Sequence, residues 1–139
     1  EGFMDNLLSK FDPFAAPLGR LFLSIIFIGA GFAKVASGGA GMVEYMEAAG
    51  VPGFLFWPAA IFELLAGIAI LVGFKTRLVA FLLAGFCLIT AVMFHADFAD
   101  QMQQTMFLKN LAMAGAFLIL MRFGGGEFAL DNRAASGDS

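Results

Sequence analysis

Charged residues are scarce in this chain of 139 residues. They make up 14% of it and hydrophobic residues make up 60%, against about 25% and about 45–50% in ordinary soluble domains. Too few polar side chains remain to cover the surface of a water-soluble domain of this size. High hydrophobicity with little charge also excludes intrinsic disorder. The net charge of −3 and the lack of a basic stripe exclude a nucleic-acid-binding protein.

Cysteine and histidine are nearly absent as well. The single cysteine, Cys87, excludes an internal disulfide, a Cys-x-x-Cys redox pair and a thiolate metal cage. The single histidine, His95, excludes a haem held by two histidines of this chain. We therefore expect no metal site, and no residue that carries electrons on its own.

Four long apolar segments dominate the sequence. A bilayer core about 30 Å thick requires about 20 mostly apolar residues in a helix, and the segments at about 17–35, 51–74, 78–94 and 106–123 satisfy this requirement. Open strands would leave backbone groups unpaired in lipid, and these runs are too long for alternating barrel strands. The sequence therefore predicts an all-α integral membrane protein, an antiparallel four-helix bundle.

The segments outside the spans are short. Residues 1–16 form an N-terminal segment, in which 1–3 precede Met4 and are expected to be a remnant of recombinant production. Residues 124–139 form a C-terminal tail, expected to be disordered from Ala134, and 42–47 predict a short interfacial helix. A cleavable signal peptide is the competing interpretation of the first span, but no small-residue cleavage site is evident and three more spans follow.

The basic residues predict the orientation in the membrane. Lys34 and Lys109 fall on one side, and the other side carries Lys10, Arg20, Lys75, Arg77, Arg122 and Arg133. Because cytoplasmic loops carry the excess of Lys and Arg, both termini are expected in the cytoplasm.

Glu63 is the residue at membrane depth that most needs an explanation. It lies 12 residues after Val51, roughly 18 Å along a helix, where a charge costs about 2.5–3.5 kcal/mol. Its stem is too short to reach water, so it must be protonated, paired or in a water-filled space. Because long basic side chains can reach inward, we expect Lys109 as its first partner and Arg20 as its second.

The candidate site is an intramembrane polar cluster around Glu63, which acts in binding or as a structural network. Its candidate members are Glu63, Lys109, Asn110, His95, Lys34 and Arg20. Simpler interpretations stay open for some of them: Arg20 and Lys34, like Arg122 outside the cluster, as snorkelling anchors, and His95 as a solvated helix end. A buried ion pair that only fixes the helix register is the structural alternative for the whole cluster.

Short motifs recur along the chain in an order that respects the span boundaries. They are Arg20-Leu21, Gly31-x-x-Lys34, Gly50-x-Pro52, Glu63-Leu64-x-x-Gly67, Gly73-x-x-Thr76-Arg77, His95, Lys109-Asn110-Leu111 and Ala129-Leu130-Asp131. In these motifs, over about residues 17–132, the chain resembles the DoxX family of small four-helix membrane proteins. The resemblance implies a multi-pass protein of a bacterial or archaeal inner membrane. The recurring polar positions of the family correspond to the six residues of the candidate site.

The resemblance also implies a role in redox chemistry at the membrane. Some DoxX-like proteins are similar to a subunit of thiosulfate:quinone oxidoreductase, and others are linked to assemblies that handle thiol and oxidative stress. We expect a non-catalytic subunit or scaffold of such an assembly, with membrane or peripheral redox proteins as partners. A quinone-linked oxidoreductase subunit, with quinone as cofactor, is the second hypothesis. A small ion or solute transporter acting as a homo-oligomer is the third, and catalytic activity stays an open question.

Overall fold

Residues 1–136, the part of the chain that the computed structural model describes, form helices joined by short loops, with no strand among them. The helices are α1 (Gly2–Ser9), α2 (Asp12–Ser37), α3 (Met42–Ala48), α4 (Phe56–Val72), α5 (Thr76–Phe94), α6 (Gln101–Phe123) and α7 (Leu130–Ser136), and a 3₁₀ turn, Gly53–Leu55, leads into α4. Four segments are long and apolar enough to cross a membrane: α2, α4 with its 3₁₀ turn, α5 and α6. The predicted all-α protein with four spans is confirmed, and α3 is the short helix predicted between the first two spans.

Two spans begin earlier than the apolar runs predict. α2 starts at Asp12 instead of Pro17. Pro13 lies in its first turn, where a backbone N–H makes no hydrogen bond within the helix, so proline, which lacks that N–H, is well accommodated there. α6 starts at Gln101 instead of 106, because the side chain of Asp100 caps it. Hydropathy predicts the apolar part of a helix. Where the helix begins depends on the capping residue, which can lie in a polar segment before that part.

α2 and α4 form the first antiparallel pair. Glycines bring the two backbones together: a Cβ added at Gly31 would lie 2.7 Å from the backbone N of Leu64, and one added at Gly67 would lie 3.0 Å from that of Ile28. In lipid, association depends on such close contact, since burial from water offers no driving force there.

α5 and α6 form the second antiparallel pair. Arg77 Nε donates to the carbonyl of Met121 (2.8 Å), and Asn110 Nδ2 donates to the carbonyl of Cys87 (3.1 Å) further along the pair. The buried core that joins the two pairs draws on all four spans: Phe27, Ala66, Ile70, Ala80, Leu83, Ala84, Cys87, Ala114 and Phe117. The antiparallel four-helix bundle is the predicted one.

The residues after α6 fold back over the end of the bundle where α2 begins and α4 ends, called the terminal end below. Arg20 is buried there and donates to the carbonyls of Leu71 (2.7 Å), Gly125 (2.9 Å) and Glu127 (2.9 Å). The interpretation of Arg20 as a snorkelling anchor is therefore wrong. Arg20 is also not a partner of Glu63, because it binds the carbonyl of Leu71 near the C-terminus of α4, roughly 12 Å further along that helix.

Asp131 completes the terminal end. Its carboxylate accepts hydrogen bonds from the backbone N–H groups of Lys75 (2.6 Å) and Thr76 (2.8 Å), and so caps the start of α5 from a distant part of the chain. Burial alone would raise the pKa of Asp131, but the hydrogen bonds from Thr76 and Lys75 and the positive charge of Lys75 outweigh it and lower the pKa below its ordinary value.

The C-terminal segment contains a further helix that the apolar runs do not predict. α7 continues to Ser136, the disorder expected from Ala134 stays a prediction, and 137–139 lie outside the described residues. Asp131, near the start of α7, ties this segment to the bundle by capping α5. Four crossings place both ends of the described chain, α1 and α7, at the terminal end, and the membrane face that this end occupies stays a prediction.

Candidate functional site

A cavity of about 560 Å³ lies between the helix pairs at the opposite end of the bundle, called the α3 end below. Ligand pockets commonly have about 300–1,000 Å³, so the space suits a small molecule. Most of the lining is apolar and comes from the four spans together with α3. Its polar side chains are Lys34, Tyr45, Glu63, Cys87, Thr90, His95 and Asn110.

An ion pair between Lys34 and Glu63 forms part of the cavity wall. Lys34 Nζ donates to Glu63 Oε2 at 2.6 Å, and the side chains are 23% and 7% exposed. The pair forms because Lys34 lies about one turn after Gly31, the glycine that brings α2 against α4 beside Glu63. The two side chains thus present a cationic donor and an anionic acceptor in apolar surroundings, where charge-assisted hydrogen bonds are strong.

Lys109, the expected first partner of Glu63, lies outside the cavity. It is exposed on α6, and among the described residues Glu63 pairs with Lys34. The next residue, Asn110, points inward, where its Nδ2 donates to the carbonyl of Cys87 and to Thr90 Oγ1, both at 3.1 Å. Successive helical residues point about 100° apart, so Asn110 facing α5 turns Lys109 outward. The expected pairing with Lys109 is wrong for this reason.

His95 lines the cavity at the C-terminus of α5 and is half-buried. The structure therefore groups Glu63, Lys34, His95 and Asn110 around one space, and it separates Lys109 and Arg20 from them. Within residues 1–136, no three His, Cys, Asp or Glu side chains come together as a metal site.

Three polar residues of the cavity were not predicted: Tyr45, Cys87 and Thr90. Thr90 Oγ1 donates to the carbonyl of Phe86 (2.8 Å) and accepts from Asn110, so it helps to join α5 and α6. The ring of Tyr45 stacks on Phe94 with centroids 5.7 Å apart. A signal for two of them was present: Cys87 and Thr90 stand three apart in the third span, and helical residues at that spacing share a face.

The comparisons with known proteins agree with this fold. The DoxX family model matches residues 15–96. Inner membrane protein YqjF of Escherichia coli (strain K12) is 42% identical over 124 residues, which cover 89% of this chain and 95% of that protein. Inner membrane protein YphA of the same organism is 36% identical over 140 aligned residues, 92% of this chain and 99% of that protein. No solved structure shows a significant match. The chain belongs to the DoxX family.

Proposed function

We propose that this inner-membrane protein is a non-catalytic subunit of a redox assembly, and that its α3-end cavity binds a quinone-like molecule. The observation that carries the proposal is the Lys34–Glu63 pair on the wall of a mostly apolar cavity. Charge within a span is expensive, at about 2.5–3.5 kcal/mol for each group at the helix centre. An ion pair whose only role was to fix the helix register could be replaced by apolar packing without loss of stability. The Lys34–Glu63 pair instead borders the open space of the cavity.

The residues of the cavity fit the head group of a quinone. Quinone carbonyls accept hydrogen bonds, and the ammonium of Lys34 has three N–H groups, of which one serves Glu63. The ring of His95 provides a further donor. Phe62 and Phe86, with ring centroids 5.4 Å apart, line the same cavity and suit a flat apolar ring.

The contribution of the chain itself is binding and proton handling. When bound, a quinone supplies two-electron, two-proton chemistry, and the partner proteins of the assembly supply the electrons. Lys34 orients a carbonyl oxygen of the ligand by donating a hydrogen bond to it. Glu63 is the group that takes up or releases a proton beside the ligand, and the apolar walls exclude bulk water from it.

Quinone binding is tested by thermal unfolding of the protein in lipid nanodiscs. A ligand at 100 times its Kd stabilises the folded state by about 2.7 kcal/mol, so a quinone is expected to raise Tm by several degrees. The double variant Lys34→Gln/Glu63→Gln keeps the shape of the Glu63 side chain, replaces Lys34 by a shorter polar one and leaves no unpaired charge. It is expected to lose this Tm shift, whereas Lys109→Gln, the matched control on the outside of α6, is expected to keep it.

Two outcomes contradict quinone binding in the cavity. An unchanged Tm of the unmodified protein over the full titration removes quinone as the ligand. An equal Tm shift in the double variant moves the binding site away from Lys34 and Glu63.

Membership of an assembly needs a separate experiment. The tagged protein, extracted from native membranes in a mild detergent, is expected to carry a redox protein with it through purification. Recovery of this chain alone contradicts the proposal of a subunit, whatever the quinone titration shows.

A further inference from the structure

Six residues of the cavity wall are exposed, and four of them lie on one side of the cavity, on the second span and α5. Leu55 and Pro58 come from the start of the second span, and Ile89 and Met93 come from the end of α5. Ile89 is the most open of them, at 60% exposure. These residues belong to segments that are long and apolar enough to cross a membrane, so we expect lipid against their outer surface. The cavity therefore opens toward the bilayer between α4 and α5, through what we call the lateral gap.

Aromatic rings bound the lateral gap. On its deep side, Phe62 of α4 meets Phe86 of α5 at 5.4 Å, and Phe27 meets Phe86 at 6.4 Å. At the α3 end, Tyr45 stacks on Phe94. Glycines allow close backbone contact within the α2–α4 pair, whereas Phe62 and Phe86 stand between α4 and α5. The gap follows from this difference in side-chain size.

We infer that the ligand of the cavity is an amphiphile that enters sideways from the bilayer and leaves its hydrocarbon tail in the lateral gap. This inference rests on the proposed function. All four gap residues are apolar, so the gap accepts hydrocarbon and offers nothing to a polar group. The ion pair lies deeper, since Glu63 follows Pro58 by five residues, roughly 7.5 Å along α4. The head group is thereby drawn inward and the tail is left toward the lipid.

The size of the cavity supports a tail that remains outside. About 560 Å³ accommodates a ring-sized head group but not a long tail in addition. The tail must therefore leave the cavity. Its transfer through the gap into lipid costs little free energy, because lipid chains are as apolar as the gap residues. Ile26 of α2 also lines the cavity and is exposed. It is a single exposed residue on that side, whereas the second span and α5 each contribute two exposed residues to the lateral gap.

Two quinones separate the roles of head and tail: one with a long prenyl tail and one with the same ring and no tail. Binding of each is measured in nanodiscs for Leu55→Trp and Ile89→Trp, which fill the gap. Both variants are expected to weaken binding of the tailed quinone at least tenfold and to change binding of the tailless one less than twofold. Ile61→Trp, at an exposed position of α4 outside the cavity lining, is the control and is expected to leave both affinities unchanged. Ile26→Trp, on the α2 side of the cavity, tests the alternative entrance and is expected to weaken binding of the tailed quinone less than Ile89→Trp does.

Cys87 provides a readout that does not depend on quinone. It is the single cysteine of the chain, it lines the cavity and only 1% of it is exposed, so a reagent reaches its thiol only after entering the cavity. A maleimide with a dodecyl chain, which partitions into the bilayer, is expected to label Cys87 faster than a sulfonated, water-soluble maleimide. Ile89→Trp is expected to slow the dodecyl reagent several-fold, and Ile61→Trp is expected not to.

The outcomes distinguish the two proposals. If neither quinone binds the unmodified protein, the proposed function fails, while the cysteine labelling still tests the gap. Three results would each overturn entry through the lateral gap. The first is that the gap variants weaken binding of the tailed and the tailless quinone equally. The second is that Ile26→Trp, and not Ile89→Trp, abolishes binding of the tailed quinone, and the third is that the two maleimides label Cys87 at equal rates, including no labelling by either.

Discussion

The two ends of the bundle bury charge in opposite ways. At the terminal end, Arg20 donates to backbone carbonyls and Asp131 accepts from backbone N–H groups, so each charge satisfies part of the fold. At the α3 end, Lys34 and Glu63 bind each other and remain beside a cavity. The charges of the terminal end bind the backbone and so stabilise the fold. The charges of the α3 end lie beside the cavity, where they can contact the proposed ligand.

Close packing is present at both ends. At the terminal end, a Cβ added at Gly73 would lie 2.5 Å from that of Ala129, and at the α3 end a Cβ added at Gly53 would lie 2.7 Å from Glu47 Oε1. The two ends therefore differ in the partners of their charges and in the presence of the cavity. Substitutions at the terminal end should change stability, and those around the cavity should change ligand binding as well.

The largest effect is expected for Arg20→Met. The substitution leaves buried carbonyls at the end of α4 and in the C-terminal segment without their donor, at about 1–3 kcal/mol for each. We expect a loss of about 4 kcal/mol or more in the free energy of unfolding, measured by denaturant titration in detergent. Arg122→Met is the matched control on the exposed surface, expected to stay within about 0.5 kcal/mol. Equal losses in both variants would remove the distinction that we draw for the terminal end.

The next effect concerns the ion pair, and it is expected to be unequal. Lys34→Gln leaves Glu63, which is 5% exposed, as an uncompensated buried charge, at about 3 kcal/mol. Glu63→Gln is expected to cost less, about 1 kcal/mol, because Lys34 lies three residues from the end of α2 and its long side chain can extend to the membrane surface.

The double variant Lys34→Gln/Glu63→Gln decides how to interpret these two losses. It is expected to be more stable than Lys34→Gln alone, since no buried charge is left unpaired. The comparison uses one denaturant titration of all three variants. A double variant that loses the sum of the two single losses would mean that the side chains act independently, and the pair would then not be a unit.

The architecture and the site differ in how far the sequence determines them. Four apolar runs predict four helices, because lipid leaves the backbone few other structures. The cost of an intramembrane charge likewise points to Glu63 as the centre of the candidate site. The choice between Lys34 and Lys109 depends on which side of its helix each residue occupies, and that rotation is set by Gly31 on α2 and by Asn110 on α6.

Arg20 shows a second limit of prediction from sequence. Its partners are backbone carbonyls, which every residue possesses, so no side-chain pattern identifies them. The motif Gly73-x-x-Thr76 and the motif at 129–131 are visible separately, yet only the fold shows that they meet. The structure places these motifs and Arg20 at one end of the bundle.

A smaller effect is expected where α2 meets α4. Gly31→Ala introduces a Cβ at 2.7 Å from the backbone N of Leu64 and 2.9 Å from its Cβ, and such overpacking costs about 1–3 kcal/mol. The separated helices would also move Lys34 away from Glu63, so we expect weaker ligand binding together with a loss of about 2 kcal/mol in stability. Gly29→Ala, with nothing within 4 Å, is the matched control on the same helix. A Gly31→Ala protein as stable as Gly29→Ala would contradict the close contact.

The smallest effect is expected for Asp131→Asn, and its dependence on pH distinguishes it from the others. Loss of a capping carboxylate costs about 1 kcal/mol at neutral pH. The folded-state pKa of Asp131 is lowered, so its stabilisation is fully present above the ordinary pKa of about 3.9 and is lost as the pH falls through the lowered pKa. Unfolding of the variant and the unmodified protein, measured from pH 7 down to about pH 3, should therefore converge as the acid is protonated. Asp5→Asn, at an exposed acid of α1, is the control and should differ little at any pH. A difference between Asp131→Asn and the unmodified protein that stays constant down to the lowest pH would show that the charge of Asp131 does not contribute to the cap.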